Sequence, residues 1–224
     1  LCTVDEEDFL KRAELQERIG YCLHRAACQA ESHDEFRRLM GQVVEACSKA
    51  IQLHGGALAS KKSLARGLHC KSVISYIGFW LSEDPDSKRN SLVECCRLEK
   101  EALKIYTEIG DQAGIGETCV TLSNHLSNLL DLTVVLGERV KILEEALSLG
   151  ERAITTFSEI GDEHGLAEAY LIAGMNSYDG AMSMDSEAKT EECSRKAFDY
   201  MKEAVKFSEK SGDKFLQGRS NVFL

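Results

Sequence analysis

Glu108-Ile109-Gly110-Asp111 recurs as Glu159-Ile160-Gly161-Asp162, and its last two residues return as Gly212-Asp213. The three glycines are spaced by 51 residues. Neighbouring columns keep the register. Ala102, Ala153 and Ala204 are identical, and Leu103, Ile154 and Val205 are all branched aliphatics. Cys95, Ala146 and Ala197 are small, as are Gly116, Ala167 and Gly218. Two intervals without a slip, over this many columns, mark an internal repeat. A weaker earlier copy ends near Gly55-Gly56, with Ala50-Ile51 standing for Ala102-Leu103.

One period holds two helices. Ile115, Cys119, Leu122, Leu126, Leu129 and Leu130 follow three-and-four spacing, and so do Val140, Leu143, Leu147, Ile154, Phe157 and Ile160. Gly137 is expected in the short connection between them. Each Gly-Asp pair then serves two helices at once. Glycine beyond a last helical turn tolerates the left-handed conformation that closes it. The aspartate after it accepts from the unsatisfied N–H groups of the next helix. Extended along the chain, the pattern predicts nine segments at about 5–30, 33–55, 59–82, 86–109, 113–132, 137–160, 164–183, 187–211 and 214–224. Pro85 falls at the start of the fourth, where its missing N–H costs nothing. Ser32, Ser60 and Ser186 stand as caps before other helices.

Composition agrees. One proline in 224 residues is far below the usual share of about 5% and disfavours turn-rich β folds. The hydrophobic fraction of 43% can build a core. A net charge of −10 and a pI near 5.2 argue against a nucleic-acid binder, which carries a basic stripe. No apolar run of about 18 residues predicts a membrane span. Asp5, Glu6, Glu7 and Asp8 exclude a signal peptide at Leu1–Leu10. Nine cysteines, odd in number and without Cys-x-x-Cys spacing, are expected to be reduced thiols packed as small hydrophobes in a cytoplasmic protein. The missing initiator Met is expected of an excised domain or of a product with its start removed. The last segment starts a new unit and stops at Phe223-Leu224 without the polar cap a terminal repeat needs, so the natural protein is expected to continue past residue 224.

The segment Ala167-Glu168-Ala169-Tyr170-Leu171-Ile172-Ala173-Gly174 resembles the first-helix signature of tetratricopeptide repeats, an aromatic followed four residues later by glycine. Leu122-Ser123-Asn124 stands where that family often has Leu-Gly-Asn, and Ala197, Met201 and Ala204 match its small–large–small second helix. Ala146, Gly150 and Ala153 match the same pattern less closely. The Glu-Ile-Gly-Asp ending is similar to the long variant found in cell-polarity adaptors and in sensor arms of prokaryotic signalling ATPases. The likeness covers about 112–218 and is weak before that. The family's unit is about 34 residues, so the helices here must be longer by about two turns each. Nine antiparallel helices in an acidic chain also resemble the 14-3-3 proteins, but their Arg-Tyr pair is absent and the 51-residue repeat is unlike them.

The tetratricopeptide resemblance implies an all-α, right-handed solenoid of antiparallel helix pairs. It forms a single domain over 1–224, with hairpins at about 5–56, 59–110, 112–161 and 163–212, and 214–224 beginning another. It also implies a concave groove lined by the first helix of each pair. Carried over by register, the lining residues are Glu117, Val120, Asn124, Ser127 and Asn128, then Glu168, Leu171, Met175, Tyr178 and Asp179, with Arg219 beginning a third set. Asparagines can bond an extended backbone as donor and acceptor, and Met175, Leu171 and Tyr178 offer adaptable apolar contact.

Catalytic constellations are thin. His24 and Cys28, four apart on one helix with Cys22 nearby, make half of a zinc site without a second pair of ligands. No recognised signature surrounds any cysteine, and Gly114-Ile115-Gly116 lacks the Gly-Lys-Ser/Thr of a phosphate loop. Lys61, Lys62, Arg66 and Lys71 form a basic cluster that would suit an anion or would simply be solvated. The expectation is therefore a non-enzymatic scaffold, with neither metal nor cofactor and with no nucleic acid or membrane as target. It would hold a peptide or helix of a partner protein in its groove. The alternative is a regulatory or sensor arm of a larger effector (a protease, signalling ATPase or transcription activator) whose catalytic domain lies outside this chain.

Overall fold

A computed structural model describes residues 6–56, 60–183 and 187–222. Among these residues the structure has nine α-helices and no strand: α1 (Glu6–Ala27), α2 (His33–His54), α3 (Lys61–Leu81), α4 (Pro85–Ile109), α5 (Gln112–Asp131), α6 (Leu136–Ile160), α7 (Glu163–Ser183), α8 (Glu187–Ser211) and α9 (Lys214–Asn221). The fold is all-α and built from repeated helix pairs.

The Gly-Asp pairs act as their chemistry dictates. Gly110, Gly161 and Gly212 have φ of 70°, 70° and 71°, left-handed values that favour glycine. After each, the aspartate turns back to accept from the next helix. Asp111 accepts from Gly114 N at 3.1 Å, Asp162 from Gly165 N at 3.0 Å, and Asp213 from Phe215 and Leu216 N at 3.0 and 3.1 Å. Ser32 and Ser60 cap α2 and α3 in the same way, from Glu35 N and Ser63 N. Asp84 accepts from Ser87 N at 2.8 Å, with Pro85 as the first residue of α4. Ser186, expected to cap α8, lies outside the described residues, as do Phe223 and Leu224.

The repeat reaches one hairpin further back than the motif. α3, α5, α7 and α9 begin at Lys61, Gln112, Glu163 and Lys214, and α4, α6 and α8 begin at Pro85, Leu136 and Glu187, every step being 51 residues. Ser60 therefore holds the capping position of Asp111, Asp162 and Asp213. Only α1 and α2 leave the register: α2 begins at His33, 52 residues before Pro85, and Ala50 and Ala102, both 0% exposed, keep that spacing. Gly55 closes α2 with φ −83°, an ordinary right-handed value, because its N–H continues the helical bond to Ile51 O. One expectation is corrected. Gly137 lies inside α6 rather than in a connection, since Val135 O already accepts from Glu138 N and Arg139 N.

The chain forms two compact units, Leu1–Ile109 and Gly110–Leu224. In the first, α1 to α4 each pack on the next helix in order. Ala27, Leu39, Met40, Val43, Cys47, Ala50, Cys70 and Ile77 form its core. Polar groups are threaded through it. Arg66 Nε reaches Glu17 Oε1 and Oε2 at 3.0 and 2.9 Å, His54 shares a hydrogen bond with Glu17, and His69 Nδ1 meets Glu99 Oε1 at 2.9 Å. In the second unit α5 to α9 pack in order, and α5 also touches α7, as α7 touches α9. The odd-numbered helices thus make one layer of this unit.

Candidate interaction face

Close approach of α5, α6 and α7 begins with glycine. The Phe157 ring of α6 is fully buried, with Gly116 of α5 and Gly165 of α7 against it. A Cβ on Gly116 would come within 2.7 Å of the ring, and one on Gly165 within 2.4 Å. Each is shorter than real side-chain contacts, so only glycine fits. Gly150 of α6 likewise faces Ala173 of α7, where a Cβ would stand 3.2 Å away. A buried relay adds direction. Asn176 Nδ2 donates to Ser123 Oγ at 2.7 Å, and Ser123 Oγ donates to Ala146 O at 2.7 Å. It joins α7 to α5 and α5 to α6, with Asn176 1% and Ser123 0% exposed. A satisfied buried relay of this kind fixes one arrangement of helices.

This scaffold brings several of the register-assigned residues together. Ser127 Oγ of α5 donates to Asp179 Oδ2 of α7 at 3.0 Å. Burial raises the Asp179 carboxyl above its ordinary range and nearby Asp131 adds to this, while the Ser127 bond and Arg139 oppose it. Asn128 Nδ2 donates to Asn124 O at 2.7 Å, and both side chains are half-buried. Arg219 of α9 points its Nη2 at Met175 Sδ, 3.8 Å away. Glu117 is exposed, Glu168 half-buried, and Tyr178 52% exposed. The layer of α5, α7 and α9 therefore presents Glu117, Asn124, Ser127, Asn128, Glu168, Met175, Tyr178, Asp179 and Arg219 within one unit.

Two assignments fall elsewhere. Leu171 is 1% exposed and belongs to the core with Ala167, Met201, Ala204 and Leu216. Val120 is 9% exposed and buried. Neither side chain offers surface to a partner. Sequence reasoning missed Ser123 and Asn176. The substitution of Ser for Gly in Leu122-Ser123-Asn124 was the available signal for the first. It also missed Val134, Val135 and Leu136 at the start of α6, exposed by 94%, 63% and 57%.

The other candidates are dispersed. Lys61 pairs with Glu108 at 2.9 Å and Arg66 is committed to Glu17, so the basic cluster is divided between carboxylates. Lys71 instead lines a shallow groove between α3 and α4 with Arg97, Glu94 and Glu101. His24 lies beside the Tyr76 ring, and Cys28 is exposed. Among the described residues no three His, Cys, Asp or Glu side chains converge as metal ligands would. No described helix is long and apolar enough to cross a membrane.

No family model matches the chain, and no curated protein matches it. Among solved structures it is similar to designed proteins. The de novo designed helical repeat protein DHR64 is 18% identical, with 93% of this chain and 98% of that one covered, at a TM-score of 0.41. The DHF58 filament is 19% identical over 96% of this chain and 99% of that one, at 0.45. A chain from the computational design of self-assembling cyclic homo-oligomers is 14% identical over 97% and 95%, at 0.34. The helical-repeat assignment stands on the chain's own helices and their spacing.

Proposed function

We propose that this chain is a non-enzymatic interaction module, a long-helix relative of the tetratricopeptide repeats. It holds an extended peptide or a helix of a partner protein on the face of α5, α7 and α9 in a cytoplasmic setting. The observation that carries the reading is the direct adjacency of those three helices, marked by the Ser127–Asp179 and Arg219–Met175 contacts. Adjacency gathers amide, hydroxyl, thioether, phenol and carboxyl groups on one face. Such mixed surfaces suit a peptide, whose backbone needs donors and acceptors while its side chains need adaptable apolar contact. Tyr178, half exposed on a rigid helix, is the type of residue that dominates binding energy at interfaces.

The test is affinity capture from an extract with the wild type, with Asn124→Ala/Tyr178→Ala, and with Phe198→Ala as a control on exposed α8 surface. The double variant is expected to lose a specific partner by at least about tenfold, which is the effect of one hot-spot residue. The control is expected to retain it. Equal retention by all three proteins would remove this face from the function.

A further inference from the structure

The α5–α7 layer of the second unit is one-sided in charge. Neither helix contains a Lys or Arg, while Glu117, Asp131, Glu163, Glu168 and Asp179 are all acidic. In the first unit α3 is the reverse, with Lys61, Lys62, Arg66 and Lys71 and no acid. Glu163 is paired with Lys210 of α8. Asp131 and Asp179 lie at the other end of the layer. The Ser127–Asp179 bond joins residues that each stand one turn before a helix end, at Asp131 and Ser183, so α5 and α7 finish level.

Two helix C-termini side by side concentrate negative dipole charge, which favours a cation. Here no basic residue stands in the last turn of either helix. Arg139 of α6 reaches in, but its Nη1 is spent on Leu130 O and Thr133 O at 2.7 and 3.0 Å. Asp131 is exposed and lies within electrostatic reach of the half-buried Asp179. Beside these carboxylates the surface is apolar. Tyr178 and Met182, one turn apart on α7, are 52% and 74% exposed. Val134, Val135 and Leu136, between Asp131 and Arg139 in the chain, are exposed as well. Apolar side chains exposed together mark a contact surface.

We propose that this end of the α5–α7 face docks a basic segment of the partner that carries apolar residues beside its cations. An Arg or Lys enters between Asp131 and Asp179 against the Tyr178 ring, and its apolar neighbours seat on Met182 and the Val134–Leu136 connection. This rests on the interaction reading above and names the chemistry of the partner. Charge complementarity selects the occupant. An acidic segment would meet two carboxylates and two negative helix ends. A purely apolar one would desolvate both carboxylates without a counter-charge, which is costly. A basic side chain satisfies the carboxylates by charge-assisted hydrogen bonds and gains attraction from the phenol ring.

The probe is a short fluorescein-labelled peptide of alternating Arg and Leu, compared with Glu-Leu and Arg-Ser peptides of the same length. Each is titrated with the full chain and followed by fluorescence anisotropy. The Arg-Leu peptide is expected to bind at least about tenfold more tightly than either of the others. Asp131→Asn/Asp179→Asn and Tyr178→Ala/Met182→Ser are each expected to weaken it by at least about tenfold. Glu144→Gln/Glu159→Gln removes the same charge from exposed positions of α6 and should change the affinity by no more than about twofold. Equal binding of the Glu-Leu peptide, or equal weakening by the α6 variant, would overturn the proposal, since apolar area or bulk charge would then account for binding. Asp131 is exposed at a helix end, so Asp131→Asn alone tests the charge requirement if the Asp179 variant does not fold, and an unchanged affinity there counts against the proposal. A captured partner that Asn124→Ala/Tyr178→Ala loses but Asp131→Asn/Asp179→Asn holds at wild-type strength would overturn this inference and leave the interaction reading standing. Loss in neither variant would remove both.

Discussion

One pair of register positions is filled differently in the two units. On α3 and α4 it is His69 and Glu99; 51 residues later, on α5 and α6, it is Val120 and Gly150; another 51 later, on α7 and α8, it is Leu171 and Met201. In the second unit the pair is apolar, and Leu171 and Met201 share one core cluster. In the first unit it is a hydrogen-bonded polar pair. Glu99 is 0% exposed, and its Oε2 is buried with no hydrogen-bond partner among the described residues. The helix crossing itself is set elsewhere, by small residues and by a recurring serine bond. Ser72 Oγ donates to Cys95 O at 3.5 Å, and 51 residues later Ser123 Oγ donates to Ala146 O at 2.7 Å. The difference teaches that this repeat fixes its backbone through small residues and lets the neighbouring pair vary in chemistry.

Substitution in the first unit should break that comparison most sharply. His69→Leu alone leaves the buried Glu99 carboxyl without its imidazole and should cost about 3–5 kcal/mol. His69→Leu/Glu99→Met installs the pair of the second unit and should restore wild-type stability or exceed it. Urea unfolding followed by Trp80, the chain's one tryptophan and a residue of the first unit, measures both. A neutral single variant, or a double variant worse than the single, would show that the two positions are not equivalent.

The same register explains what could be read from the sequence. Gly110, Gly161 and Gly212 were legible because a left-handed helix end requires glycine and a helix start rewards an acceptor. Those two demands leave few alternatives, and the helix starts keep to the 51-residue spacing. Ser60 does the work of the three aspartates but is a different residue, so the Gly-Asp pattern does not reach the start of its copy, although the cap and the hairpin 59–110 were read. Among the candidate lining residues, Ser127 and Asp179 were named separately by register, and the bond between these side chains 52 positions apart was not read from it. Register also placed Val120 and Leu171 on a surface when both are buried, because period alone does not tell which side of a long helix turns inward. The Ser123–Asn176 bond was beyond the pattern altogether. It joins positions 53 apart, outside the repeat spacing, and depends on Gly150 letting α6 and α7 close.

Acid should act on the two units with opposite sign. Burial alone would raise Glu17 in the first unit, but the hydrogen bonds from His54 and Arg66 overcome it and hold the carboxyl at about 2, against an ordinary 4.5. A depressed carboxyl contributes stability that is complete above the unfolded value and lost as pH falls through the folded one. The first unit should therefore lose on the order of 3 kcal/mol between about pH 4.5 and 2, read by Trp80 fluorescence. Glu17→Gln should flatten that loss and lower stability at neutral pH. Asp179 in the second unit is raised, chiefly by burial. Its protonated form is favoured by the fold, so its contribution grows as pH falls. The stability difference between wild type and Asp179→Asn, measured by circular dichroism, should shift toward the wild type on acidification. A shift of the same sign in both units would contradict the environments assigned to the two carboxyls.

The smallest expected effect separates the helix ends of the two units. Gly161 has φ of 70° and nothing within 4 Å of a built Cβ, so Gly161→Ala meets no clash and suffers only backbone strain. A non-glycine residue in the left-handed region costs about 1–2 kcal/mol, and the far-UV melting midpoint should fall accordingly. Gly55, at φ −83°, sits where alanine is comfortable, though its Cβ would meet Ile51 O at 3.2 Å. The contact offsets the gain of about 0.4–1 kcal/mol from a stiffer unfolded chain, and Gly55→Ala should be close to neutral. Asparagine tolerates the left-handed region better than alanine because its side chain bonds locally. Gly161→Asn should therefore recover part of what alanine loses. If alanine and asparagine cost the same at 161, backbone strain is not what the glycine relieves.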